Sequence, residues 1–222
     1  MDKEKPMNVS MTSLFGTPVM QIKLDLDLEK LTEFSFQIQK KDKKGVQHTT
    51  RGGWQSNNVT EENHEEFIRL KKEINQYLQI YHSEVFGSME FKENIMQGLD
   101  NIWININEKY HYNEWHLHPH STLSGVYYIK HDGSQEGGDI LFKHPNSDYM
   151  RLAHWPQGVI EIPNEITSEI IDIVPKSNML LIFPSWLELK VEANLKNNSR
   201  ISISFNSQPI LVEKKSQWLE KK

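Results

Sequence analysis

The chain has no cysteine in its 222 residues. Disulfides and thiolate metal sites are excluded, and a secreted disulfide scaffold with them. The absence fits a cytosolic protein. Basic charge is also short. There are 25 Lys and Arg against 30 Asp and Glu, a net charge of −5, so the basic footprint of a nucleic-acid binder is missing. No segment approaches the roughly 20 apolar residues of a membrane helix. The opening "MDKEKPMNVSMTS" lacks the apolar stretch of a signal peptide. No internal repeat and no low-complexity tract interrupts the chain. What remains is ordinary for a globular protein, with 37% hydrophobic and 25% charged residues. The length suits a single domain over 1–222, with an N-terminal helical and strand layer (1–98) packed on a β core (99–208).

The hydrophobic period divides the chain. The first twelve residues are polar and loose in this reading. "PVMQIKLDL" (Pro18 to Leu26) alternates and reads as a half-buried strand. Leu28 to Ile38 is assigned a short helix, and Gln39 to Asn58 a long loop. Thr60 is a plausible N-cap, with Glu61 and Glu62 in the first turn. Phe67, Leu70, Ile74, Leu78, Tyr81 and Val85 then form one helical stripe that ends at Gly87.

After Gly98 the period becomes two. "NIWININ" sets Ile102, Ile104 and Ile106 on one face, and Asn101, Trp103, Asn105 and Asn107 on the other. "LSGVYYIK", "GGDILFKH", "GVIEI", "IIDIV", "NMLLIFP" and "RISISFN" follow as short strands. The spacing predicts a mainly β barrel or sandwich and disfavours a parallel α/β sheet. Phe183 and Trp186, in "LLIFPSWLELKVEAN", are most simply core. The tail "EKKSQWLEKK" is a short helix or disordered.

Two patterns carry chemistry. In "EWHLHPHSTLSGVYYIK", His116 and His118 share a face if they lie on a strand, close enough to bind one metal ion. Neutral imidazole suits iron, zinc, copper and nickel. Pro119 places the pair at a strand end, and His120 lies beyond it. The bland alternative is a polar surface loop. In "RISISFN", Arg200, Ser202 and Ser204 alternate with Ile201, Ile203 and Phe205. Arg200 offers a bidentate fork for a carboxylate and Ser202 one more hydrogen bond, against the alternative of a polar edge face.

Together, "GGWQSN", "IWININ", "EWHLHPHSTLSGVYYIK", "LLIFPSWL" and "RISISFN" resemble the 2-oxoglutarate/Fe(II) oxygenase family of marine bacteria and cyanophages, distantly similar to prolyl 4-hydroxylases. The resemblance runs from about Leu14 to Asn206. It implies a double-stranded β-helix, a jelly-roll or cupin-like barrel with an N-terminal strand and flanking helices. It also implies Fe(II) and 2-oxoglutarate as cofactors. His116 matches the first metal histidine, and His118 stands where relatives place a carboxylate. Arg200 and Ser202 match the pair that grips the far carboxylate of the cosubstrate, and Tyr127 or Tyr128 lines the pocket, with Tyr128 assigned to the cosubstrate.

One position departs from the family. Its pattern "F-P-S-W-L-x-H-x-V" reads "FPSWLELKV" here, so Leu189 occupies the place of the last metal histidine, eleven residues before Arg200. Leucine cannot ligate a metal, which puts metal occupancy in doubt. Glu188 is the substitute ligand only if a bulge turns it inward.

Three readings follow. The first is a dioxygenase of hydroxylase type with an altered triad of His116, His118 and Glu188 or water. The second is an inactive oxygenase-fold protein with a binding or structural role. The third is a zinc or nickel cupin-like protein, which leaves Arg200 unexplained. A small-molecule or peptidyl substrate is expected, with no nucleic-acid or membrane partner. A homodimer through edge strands is possible. The expected location is the cytoplasm of a bacterial cell or a phage-infected host.

Overall fold

The computed structural model describes residues 16–85, 95–134, 136–149, 164 and 167–211. The expected strand "GVIEI", Gly87, the first twelve residues and the C-terminal tail lie outside them.

Two antiparallel sheets form the body. The larger has six strands in the spatial order β1 (Met20–Lys23), β9 (Met179–Pro184), β6 (Leu123–Lys130), β11 (Arg200–Leu211), β4 (Ile95–Asn107) and β3 (Trp54–Gln55). The smaller has five: β2 (Thr50–Arg51), β5 (Tyr112–His116), β10 (Leu189–Val191), β7 (Ile140–Lys143) and β8 (Ile170–Ile173). This is the mainly β, two-sheet architecture the strand pattern calls for. The N-terminal stretch does more than pack on it, because β1 and β3 extend the larger sheet and β2 the smaller.

Strict alternation makes the larger sheet two-faced. Ile102, Ile104, Ile106, Ile201, Ile203 and Phe205 are at most 2% exposed, and all point to the outer face. There they meet helices α1 (Leu28–Lys41) and α2 (Glu65–Val85) in one apolar cluster. Each such side chain removed from water stabilises the fold by roughly 1.5–3 kcal/mol. The inner face meets the smaller sheet. Val126, Tyr128, Leu181 and Phe183 form a second cluster with Ile140, Phe142, Leu187 and Leu189. The space between the sheets is therefore apolar along one flank, and the inward polar residues of β4 and β11 occupy the other.

Helix α1 starts at Asp27, whose carboxylate accepts from the backbone N–H groups of Glu29 and Lys30 at 3.1 Å. Asp27→Ala should cost about 1 kcal/mol of stability, read as a lower urea midpoint with an unchanged slope.

Several expectations are corrected. Helix α1 runs on to Lys41. Residues 39–58, expected as one long loop, hold β2 and β3, and the Trp54 indole N–H there donates to the Asp42 carbonyl at 2.8 Å. Helix α2 begins at Glu65, not after Thr60, because the Asn58 side chain takes both the N–H and the hydroxyl of Thr60. Val85 is 36% exposed and Trp186 56%, so neither is core, whereas Phe183 is.

Candidate active site

Between the sheets lies a cavity of about 480 Å³, within the range of small-molecule sites. His116, His118, Tyr128, Leu189, Arg200 and Ser202 all line it.

His116 is the last residue of β5. Its Nδ1 lies 2.7 Å from the Glu114 carbonyl oxygen, and a carbonyl only accepts, so Nδ1 carries the proton and Nε2 keeps its lone pair. His118 sits just past the strand, held by its N–H to the Ser185 carbonyl at 3.1 Å. The two rings are 5.1 Å apart between centroids. His118 also stacks on Trp103 at 5.9 Å, with the Asn206 side chain beside it. Burial lowers the pKa of both imidazoles, that of His118 to about 4, with neighbouring His116 adding to the shift. Both are neutral at pH 7, the form that ligates metals. His120 adopts φ 65° and does not line the cavity.

Leu189 lies directly opposite His116 in the β10–β5 pairing. Residues so opposed share a face with Cβ atoms roughly 5 Å apart, and Leu189 is buried at 3% exposure. A methyl-capped side chain thus stands beside the imidazole pair. Glu188 is not brought to them. Its carboxylate pairs with Lys143 Nζ at 3.2 Å, and it does not line the cavity. The pairing irregularity in β10 falls between Leu189 and Val191, past Glu188, and does not turn it inward. Among the described residues no group of three His, Asp or Glu is placed to hold a metal ion.

Arg200 opens β11 on the inner face and is buried at 4% exposure. One Nη1–H donates to the Gly138 carbonyl at 3.0 Å. Gly138 has φ +83°, a conformation that glycine adopts freely, and a Cβ there would press on the Arg200 stem at 3.3 Å. The Arg200 Nε–H has no partner among the described residues. Such a buried donor is costly unless something pairs with it. Ser202 follows on the same face, opposite Tyr128 on β6. Tyr128 is 1% exposed, and burial raises its phenol well above the usual range, so it stays a neutral donor. Tyr127 points the other way, into the helix-facing cluster, and donates to Asn178 at 2.5 Å.

The residues therefore fit 2-oxoglutarate at one end: a buried guanidinium with an unpaired N–H, a hydroxyl and a neutral phenol suit a carboxylate. Toward a metal ion the fit is partial. Two imidazoles are in place, and the side chain across from His116 is Leu189, which offers no donor.

Trp103, Asn105 and Asn206 were not singled out as site residues from sequence. The signal was there, since "NIWININ" and "RISISFN" each carry a polar face. That face becomes a site only because the second sheet covers it.

His131 was also missed. It lies within electrostatic reach of Arg200, and burial, then that cation, lowers its pKa to about 4. The unfolded state, at about 6.5, binds more protons between those values. His131 therefore contributes stability above pH 6.5 that is lost as pH falls toward 4. The wild type should lose more stability than His131→Asn between pH 7 and pH 4.5 in urea titrations. Equal losses would remove His131 from the account.

Residues 101–206 match the family described as "Putative 2OG-Fe(II) oxygenase". No curated protein matches the chain. Three solved structures share its fold. A prolyl-4-hydroxylase of Pseudomonas putida is 14% identical, with a TM-score of 0.55 over 86% of this chain and 92% of its own. The viral collagen prolyl hydroxylase of Paramecium Bursaria Chlorella virus-1, solved as a 2-oxoglutarate complex, is 12% identical, with a TM-score of 0.55 over 85% and 94%. HygX of Streptomyces hygroscopicus, solved with nickel, 2-oxoglutarate and hygromycin B bound, is 12% identical, with a TM-score of 0.57 over 87% and 83%. The jelly-roll expectation agrees with these likenesses. The matched segment runs from the middle of β4 to the middle of β11, and so contains His116, His118, Leu189, Arg200 and Ser202.

Proposed function

We propose that the chain is a 2-oxoglutarate- and Fe(II)-dependent oxygenase of hydroxylase type whose metal site has only two protein ligands, His116 and His118. The observation that carries this reading is Arg200, a buried guanidinium with an unpaired Nε–H lining the same cavity as the two neutral imidazoles. Arg200 and Ser202 would hold the far carboxylate of 2-oxoglutarate, with Tyr128 beside them. His116 would hold the metal through Nε2, left free by the Glu114 carbonyl, and His118 through a ring nitrogen. Iron and 2-oxoglutarate, when bound, would let O₂ act as the oxidant that removes a substrate hydrogen, with 2-oxoglutarate itself oxidised to succinate and CO₂. Leu189, Phe183, Ile140 and Val126 line one side of the cavity with apolar surface. Glu188 lies off the cavity lining and acts on His116 only as a charge at a distance.

The matched family and the shared fold support the reading, and so does the convergence of His116, His118, Arg200 and Ser202 on one cavity. A protein of the same fold that binds 2-oxoglutarate without turning it over is the second reading, and buried Leu189 favours it. Calorimetric titration of 2-oxoglutarate, with and without Co(II) under argon, tests the first. Tighter binding in the presence of metal is expected, because two imidazoles and the cosubstrate then share one ion. Binding indifferent to metal selects the second reading. No binding at all removes both.

A further inference from the structure

The cavity is larger than the carboxylate cradle and unevenly furnished. Seven amide side chains line it, whereas Arg200 is its only Lys, Arg, Asp or Glu among the described residues. Asn105 on β4 lies opposite Ser202, and Gln55 on β3 lies opposite Asn105, so they stand roughly 5 and 10 Å to one side of the cradle. Along the strand, six residues and roughly 20 Å separate Arg200 from Asn206, which bonds Asn101.

Several of these amides are incompletely satisfied. Gln55 is 8% exposed, and its side-chain amide has no hydrogen-bond partner among the described residues. Asn105, 7% exposed, donates to Ser204 Oγ at 3.0 Å and keeps its carbonyl oxygen free. Asn113 donates to Thr49 Oγ1 at 3.3 Å and likewise keeps its oxygen. Half-buried Trp103 adds an aromatic surface between them and His118.

We infer that this flank, walled by Gln55, Asn105, Asn113 and Trp103, is the substrate subsite, and that it takes a neutral, hydroxyl-rich ring such as a saccharide or nucleoside. Amides both donate and accept, as hydroxyls do, so each can serve a hydroxyl in either sense. An aromatic face suits the C–H side of a sugar ring. A free amino acid would bring an ammonium and a carboxylate into a flank that offers neither a counter-charge, a costly burial. The inference rests on 2-oxoglutarate occupying the Arg200 end.

Saturation-transfer NMR on the full chain, in excess 2-oxoglutarate, tests it with three probe sets: neutral saccharides and nucleosides, free amino acids, and dipeptides blocked at both ends. Transfer to the first set is expected, with saccharides and nucleosides distinguishing the two sources of such a ring. Affinity for the responding probe should fall at least about fivefold in Gln55→Met and in Asn105→Leu, the worth of one hydrogen bond. In Gln55→Met the calorimetric affinity for 2-oxoglutarate should stay within about twofold. No transfer to the first set overturns the inference, as does transfer to amino acids or blocked dipeptides in its place. Loss of 2-oxoglutarate binding by the wild type overturns the proposed function instead, and calorimetry reports it separately.

Discussion

Replacing Arg200 with leucine should weaken 2-oxoglutarate binding about 30- to 4,000-fold, the 2–5 kcal/mol that follows when one partner of a buried charge pair is removed. Arg200 is 4% exposed, so a bound carboxylate at that point has no water to replace the guanidinium. The leucine variant also frees the Gly138 carbonyl and leaves buried Asp139 without its neighbouring cation. Arg200→Lys guards against misfolding as the cause. It keeps the charge and loses the fork, and should cost only about tenfold. Calorimetry in the presence of Co(II) reads both variants. Wild-type affinity in the leucine variant would detach Arg200 from the cosubstrate.

The second large effect is a gain. Leu189→His should raise affinity for Fe(II) or Co(II) at least about 100-fold, above the 10- to 100-fold attached to groups that merely orient ligands. The reasoning is geometric: residue 189 lies directly across from His116 on the same face, so an imidazole there points at the space the two histidines border. The apo variant should be less stable than the wild type by roughly 1–3 kcal/mol, since an unpaired imidazole replaces leucine in an apolar cluster. Added metal should restore that loss. Co(II) absorption with tighter titration in the variant would show a site lacking one ligand. Equal affinity in the two proteins would mean that His116 and His118 do not border a metal site.

The legible parts of the fold were those with one buried and one polar face. β4, β6, β9 and β11 each alternate or run apolar because helices cover one side and the second sheet the other. β5 was not legible as a strand: "YNEWH" buries only Asn113 fully, and its aromatic residues face solvent. The two-residue strands β2 and β3 are set by pairing to β5 and β4 rather than by any local pattern. At the site, residue types revealed the imidazole pair and the Arg-x-Ser face. They also marked Leu189 as the place where the resemblance expects a third ligand, and that leucine lies across from His116. The orientation of Glu188 toward Lys143 could not be read from sequence, because a single bulge would reverse it. The amide flank escaped notice because asparagines on a strand read as solvent-facing until a second sheet is known to cover them.

The most direct test of the central claim is succinate formation by the purified chain given Fe(II), 2-oxoglutarate and O₂, with no other substrate added. The two-histidine account predicts slow, metal-dependent succinate release that chelator abolishes, that Arg200→Leu loses, and that Leu189→His retains. Succinate at the level of a protein-free control, from a chain that still binds 2-oxoglutarate, would contradict it and leave a binding protein built on an oxygenase fold.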